Sequence, residues 1–480
     1  MRTRLRPIAL TLLLILSTPP SSMAQSIALP DIGDPAQQYL SPEKERRLGA
    51  ATLQQIREHN LVIEDVQLNE YLNSIGQSVA AYAQNQGNPF TFFLVRDTSI
   101  NAFAAPGGFI GVNSGLLLTT QTEDELAGVL AHEIAHVNQG HITRGYADAQ
   151  NMRIPMAAAL LASVLVAAAA KGQAGQAALV GTMAASLQHQ INFTRANEQE
   201  ADRIGTRILA QAGFDPNGMT KFFGRLERLS SGSAAQIPEF LRTHPLPSNR
   251  MADTEDRFKN SVRRSNRDSA AYHLAKARIR ALTTLDNGAL LQQFETALAK
   301  AAYADEAAER YGYALALKQA GRYDDALRQI TRLRNAHPDR LAFRLEEAEI
   351  ALAKGDRATA WRLFEDAQRL YADDFTLAMH YGQALAVQGD PRKAMEILQP
   401  HLRRRSSDAS LHTLYAQAAR RAGDIAVTHA TLAEYYYLNG ELKQAIEQAE
   451  LGVKSPGATP YQQAQLRARL RQFKEEVAAQ

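Results

Sequence analysis

Three textures of apolar and polar positions follow one another along the chain. The first is a short apolar run, Ile8 to Leu16, behind Arg2, Arg4 and Arg6 and ahead of Ser22-Met23-Ala24. A basic start, a greasy centre and small residues at a cut site predict an export signal over residues 1–24, cleaved after Ala24. Crossing a hydrocarbon core takes a helix of about 20 apolar residues, so the run is too short to span. A retained anchor is the alternative reading.

The second texture, residues 25–265, mixes two periods. Thr91-Phe-Phe-Leu-Val95 and Phe109-Ile-Gly-Val112 predict strands, with Pro106-Gly107-Gly108 as the turn leading into the second. Leu126, Val129, Leu130 and Val137 fall at helical spacing. They predict a helix that starts after the N-cap Thr122, with Glu123, Asp124 and Glu125 in its first turn. Ala201, Ile204, Gly205, Ile208 and Leu209 mark the apolar stripe of another, beginning near Asn197. Between the two, Ile154 to Ala170 carries no charge and Ala174 to Ala185 continues Ala-rich. Pro155 and the dominance of Ala favour a hairpin over a cleft, or a segment touching a membrane surface, above a spanning helix.

The third texture, residues 266–480, is helical sequence rich in Ala, Leu and Arg. Gly321, Gly355, Gly389 and Gly423 recur every 34 residues, and Ala326, Ala360 and Ala394 each follow one of them by five. Gly440 to Ala445 repeats the phrase half a period on, and Asn287-Gly288 stands one period before Gly321 as an irregular opening. Each Gly is expected where the first helix of a pair ends, and each Ala where its partner approaches closely. Such pairs bury their apolar faces only by stacking, which predicts an array with a concave surface.

Composition narrows the chemistry. With 45% apolar and 21% charged residues the chain is not disordered. It has no Cys, which excludes disulfides, thiolate metal sites, a Cys nucleophile and a lipidated Cys. Any metal site must be built from His, Asp and Glu. The net charge is +3, and Arg2, Arg4 and Arg6 account for it, so no basic field points to nucleic acid.

His132 and His136 are four apart on the Glu123 helix, so both imidazoles leave one face and can reach one Zn²⁺ at about 2.0–2.1 Å. Glu133 follows by roughly 100° of rotation, beside such an ion, where it can take a proton from a water. This is the H-E-x-x-H pattern of zincins; two solvated histidines on a surface helix are the bland alternative. On the later helix Glu198 falls beside the apolar stripe, whereas Glu200 falls on the face of Arg203 and Arg207, where an ion pair is expected. Glu198 is therefore the favoured third ligand over Glu200. Asp202, one turn on, can accept the outer N–H of a ligating His, or be an ordinary surface charge. His141, on a continued helix, points about 140° from His136 and is not expected to ligate. Two His and one Glu leave a fourth position open, as catalytic zinc requires.

Asn101-Ala-Phe-Ala-Ala-Pro-Gly-Gly-Phe-Ile-Gly-Val112, His132-Glu-Ile-Ala-His136 and Glu198-x-x-Ala-Asp202, in that order, resemble the zinc metallopeptidase family that includes HtpX and the CaaX prenyl proteases. Residues 270–455 resemble tetratricopeptide repeats. The combination is similar to exported family members that carry such repeats, over nearly the whole chain after residue 24. The resemblance implies zinc on His132, His136 and Glu198, Glu133 as base, and residues 91–112 at the edge of the cleft. There an edge strand would hold an extended substrate, the alternative being a purely structural hairpin. Thr243-His244-Pro-Leu-Pro-Ser-Asn-Arg250 matches a family segment. His244 would then lie near the metal as a blocking ligand or a transition-state donor, unless it is a solvated loop residue.

The expected fold is mainly α: an α+β zincin-type metallopeptidase domain with a small sheet (25–265), then an α-solenoid of helix pairs (266–480). The expected function, by resemblance, is a Gram-negative periplasmic zinc endopeptidase with a chaperone role. Its substrates would be unfolded or misassembled outer-membrane β-barrel proteins, and the repeats would dock it on the barrel-assembly machinery. Peripheral membrane contact is expected and nucleic acid is not. The rival reading is a chaperone or scaffold acting through the repeats over a vestigial or self-inhibited zinc site.

Overall fold

Ser41 and Asp65 open the first two helices, α1 (Pro42–Glu58) and α2 (Val66–Ala80), each accepting a backbone N–H of the first turn. The computed structural model describes residues 40–83, 89–148, 194–230, 237–245 and 269–478. The expected export signal, the Ala-rich stretch 154–185 and Arg250 lie outside them. Strands β1 (Thr91–Val95), β2 (Ala102–Ala105) and β3 (Phe109–Asn113) form one sheet in the order β1-β3-β2. β3 pairs parallel with β1 and antiparallel with β2.

The sheet departs from the sequence reading. The turn at Pro106-Gly107-Gly108 joins β2 to β3, so the two strands expected from periodicity are parallel neighbours and form no hairpin. Ala-Phe-Ala-Ala carries no β-branched residue and its burial does not alternate, so β2 gave no strand signal. Gly107 and Gly108 both take positive φ, 71° and 84°. A Cβ on Gly107 would stand 2.5 Å from the Arg46 backbone. Arg46 fastens this turn from α1, donating to the carbonyls of Pro89 and Gly107 at 3.0 Å and lying 4.3 Å over the Phe109 ring.

Against the sheet lie α3 (Ser114–Thr119) and α4 (Glu123–Asn138), the latter capped by Thr122 as its sequence predicts. Nearly all of α4 is buried, so its polar side chains must find partners inside the protein. The chain then continues as α5 (141–148), α6 (194–211), α7 (Asn217–Ser230) and the short α8 (Glu239–Thr243). Glycines set the approach of these helices to α4. A Cβ on Gly128 would meet the Met219 backbone at 2.7 Å, and one on Gly205 would meet Ala131 O at 3.0 Å.

From residue 270 on, the described chain is antiparallel helix after helix: Ala270–Thr283, Asn287–Ala299, Glu306–Gln319, Tyr323–Ala336, Leu341–Lys354, Arg357–Leu370, Phe375–Gln388, Pro391–Arg404, Ala409–Arg421, Ile425–Leu438, Leu442–Val453 and Pro460–Ala478. Gly321, Gly355 and Gly423 end first helices with φ of 73°, 93° and 79°. Gly389 ends one at φ −118°, so the third turn of the series is built differently, with Pro391 opening the next helix. Ala326, Ala360, Ala394 and Ala445 are fully buried between partner helices. Asn287-Gly288 begins a helix capped by Asp286 instead of ending one. The whole is the mainly α architecture expected: a first body with a small sheet, then a helical repeat array. No described helix is long and apolar enough to cross a membrane.

The helix Ala270–Thr283 belongs to both bodies. Tyr272, Ala275 and Ile279 pack in the same core as Leu116, Leu126 and Leu130, and the Tyr272 hydroxyl donates to Thr120 Oγ1 at 3.0 Å. On its other side Arg278 reaches Asp65, the Tyr311 hydroxyl and Glu346. Farther along, Arg405 donates to both oxygens of Glu70 at 2.6 and 2.9 Å. Between the first body and the array lies a cavity of about 2270 Å³, lined among others by Arg57, Glu70, Phe92, Met379, Arg405 and Tyr435.

Candidate active site

α4 and α6 cross at the Gly205 contact, which brings the histidines of one and the first turns of the other face to face. His132 Nε2 and His136 Nε2 lie 3.0 Å apart. Glu198 spans them, Oε2 being 3.3 Å from His132 Nε2 and Oε1 3.3 Å from His136 Nε2. His244, just past α8, places Nδ1 3.0 Å from Glu198 Oε1 and 3.3 Å from His132 Nε2. All four residues are buried, and one ligand atom from each lies within 4.8 Å of the others. The structure therefore brings together His132, His136 and Glu198 and adds His244 to them. Asp202 stands behind, its Oδ1 3.0 Å from His132 Nδ1.

Glu133 is buried beside this cluster. Its carboxylate faces the backbone N–H of Ala104, and His244 Nε2 lies 3.5 Å from its Oε1. Burial pushes its pKa up against the pull of His244 and His132. A buried carboxylate whose pKa is raised is suited to receive a proton.

His244 is held by its backbone and by its ring. Its N–H donates to Phe240 O at 2.8 Å, and the imidazole stacks on the Phe240 ring with centroids 4.6 Å apart. Phe240 is in turn fixed by its N–H, which donates to Ile100 O at 3.0 Å just before β2. No pattern around residue 240 announced this support, because Ile100, which anchors Phe240, is distant from it in sequence.

Glu200 and His141 are placed differently from the helical-wheel reading. α4 ends at Gln139-Gly140, where Gly140 takes φ 60°, and α5 starts anew with His141. The break swings His141 back so that its Nδ1 lies 2.8 Å from His136 Nδ1. Its other nitrogen meets Glu200 Oε2 at 3.1 Å. Glu200 is an ion-pair partner, but of Arg144 on α5 at 2.9 Å and not of Arg203 or Arg207 on its own helix. A wheel drawn through residue 141 assumes a continuous helix, and the glycine removes that assumption. Gly140, visible in the sequence, was the signal that could have found it.

The donor set fits a divalent cation. Two inner imidazole nitrogens, a third from His244 and a carboxylate face one another in a buried space, and lone pairs at 3 Å separation repel unless a positive charge lies between them. A proton can serve in place of a metal. Burial alone would lower the His132 pKa, but the hydrogen bonds to Asp202 and Glu198 outweigh it and push it up to about 10. His136, where burial dominates, is pushed down to about 3. Glu198, despite its burial, is held well below the ordinary carboxylate range by the three histidines. The site stays anionic at its base and nitrogen-rich around it. Three imidazoles and one carboxylate suit a borderline-soft ion such as zinc better than Mg²⁺ or Ca²⁺, which take oxygen ligands.

A buried H-E-x-x-H helix completed by a downstream glutamate defines a metallopeptidase. Peptidase family M48 matches residues 66–257, and the chain belongs to that family. It is 37% identical to a Vibrio cholerae relative over 88% of this chain and 87% of that one. The beta-barrel assembly-enhancing protease of Escherichia coli strain K12 is 34% identical over 93% of this chain and 91% of its own. That of Yersinia pestis is 35% identical over 87% and 86%. Among solved structures, yeast Tom70 overlaps 74% of this chain and 83% of its own at 12% identity, with a TM-score of 0.32.

Proposed function

We propose that the chain is an exported zinc endopeptidase of the periplasm that cuts misassembled outer-membrane β-barrel proteins and assists their assembly. In this reading its repeat array docks it on the assembly machinery. The observation that carries the catalytic half is the position of Glu133, buried with a raised pKa beside four converging ligand atoms. His132, His136 and Glu198 hold the ion, and Asp202 fixes the His132 ring from behind. An ion bound there supplies Lewis acidity towards a peptide carbonyl and acidifies a water. Glu133 takes the proton of that water and delivers it to the leaving amine. The name of the relatives at 34–37% identity, beta-barrel assembly-enhancing protease, supports the substrate class, and the large cavity between peptidase and array supports a protein-sized partner.

Glu133→Gln tests this. The variant should keep metal and fold yet lose cleavage of an unfolded barrel protein by several orders of magnitude. If it cuts as fast as the parent, the assignment of Glu133 fails. A variant that instead performs every cellular task of the parent would favour the chaperone reading over proteolysis.

One observation favours a closed resting site. His244 Nδ1 stands among the ligand atoms, where it would take the fourth position that a water or a substrate carbonyl needs. In this reading the enzyme works only after His244 withdraws from that place.

A further inference from the structure

The two histidines of α4 are supported from behind in unlike ways. His132 has a carboxylate, Asp202, at its outer nitrogen. His136 has another imidazole, and only beyond that a carboxylate. We propose that His141 and Glu200 form a two-step relay that orients His136 for the metal, so that Glu200 serves the site through His141 without touching it. This rests on the metallopeptidase reading of the cluster.

The hydrogen-bond chain fixes the direction of the relay. Glu200 is paired with Arg144 at 2.9 Å and as a carboxylate can only accept. The proton of its contact with His141 must then sit on His141 Nε2. A neutral His141 ring has its lone pair on Nδ1, which lies 2.8 Å from His136 Nδ1. Two bare nitrogens would repel at that distance, so the proton between them belongs to His136 Nδ1. His136 is left with a bare Nε2, pointed at His132 and Glu198. That is the tautomer a metal ligand needs.

The geometry is built and not incidental. His141 is buried and its ring meets that of His136 edge to face, with centroids 4.7 Å apart at 78°. The turn at Gly140 delivers it, and α5 is tied to α1 through the contact of Thr143 with Glu45. Three elements, α4, α5 and α6, thus converge on the outer nitrogen of one ligand. His141 itself is a positioning residue: its nitrogens are both engaged away from the cluster.

The test uses the full chain and the metal alone. Zn²⁺ affinity is measured by competition with a chelator, and the visible spectrum is recorded with Co²⁺ in its place. His141→Phe keeps ring and bulk but accepts no hydrogen bond; it should weaken Zn²⁺ binding roughly 10- to 100-fold and shift the Co²⁺ bands. His141→Asn, whose Oδ1 can stand where Nδ1 stood, should bind within a few-fold of the parent. Glu200→Gln should fall between them. Equal losses in the Phe and Asn variants, or no loss in either, overturn the relay. A parent chain that binds no divalent ion overturns the metallopeptidase reading of the cluster, and the relay with it. Melting temperatures of the metal-free variants separate a folding defect from a binding defect.

Discussion

Gly205 of α6 rests directly on the backbone of Ala131 in α4: a methyl group added there would stand 3.0 Å from Ala131 O and 3.2 Å from the His132 Cα. The glycine sets how closely the helix carrying Glu198 approaches the helix carrying the histidines. Gly205→Ala should push the helices apart by a few tenths of an ångström and cost roughly 1–3 kcal/mol. Because the separation passes straight to the ligands, Zn²⁺ affinity should fall further than stability alone explains. Thermal melts with and without metal read both effects. A loss of stability with metal affinity unchanged would show that the ligands adjust independently of the helix spacing.

His244 offers a second test. His244→Ala empties the fourth ligand place while leaving His132, His136 and Glu198 intact. Cleavage of an unfolded substrate should rise several-fold at equal metal loading. A fall in rate would instead mean that the imidazole acts on the reacting carbonyl.

Arg278 joins the two bodies through buried charges. It donates to both oxygens of Asp65 at 2.8–2.9 Å, to Tyr311 at 2.7 Å and to Glu346 at 3.2 Å. Arg278→Met should destabilise the chain by about 3–5 kcal/mol, because Asp65 and Glu346 keep their charges without this partner. Adding Asp65→Asn should recover part of the loss. Chemical denaturation of the single and double variants measures it, and simple additivity would exclude the coupling.

The fourth test concerns pH. Burial pushes the Lys276 pKa down to about 8, below the roughly 10.4 of an unfolded chain. Its ammonium donates to the Thr120 carbonyl. Below pH 8 both states carry the proton, and the folded state bears the cost of burying it. Between about 8 and 10.4 the unfolded state binds more protons, so stability rises with pH. Relative to Lys276→Met, the parent should therefore gain stability from pH 7 to pH 10. A constant difference across that range would mean the lysine is not desolvated as its burial implies.

Helical periods carried most of what could be read beforehand. The α4 stripe Leu126, Val129, Leu130 and the 34-residue spacing of Gly321, Gly355 and Gly423 are local patterns, and local patterns survive folding. Glu198 faces the histidines because its position beside the stripe of α6 is equally local. What escaped depended on interruptions and on distance. β2 is four small or aromatic residues whose strand character comes only from pairing with β3. His141 was misplaced because one glycine ended a helix that periodicity would have continued. Phe240 supports His244 from an element too short to show any period.

The sharing of Ala270–Thr283 has a consequence for inheritance. A lineage cannot graft this repeat array onto another peptidase by recombining at residue 266, since the recipient would lose Tyr272 and Ile279 from its own interior. The cheapest crossover lies at the turn after that helix, where Leu285 is 95% exposed and touches little. Repeats beyond that turn meet the protease through polar contacts such as Arg405 with Glu70, whereas the first helix forms part of its core.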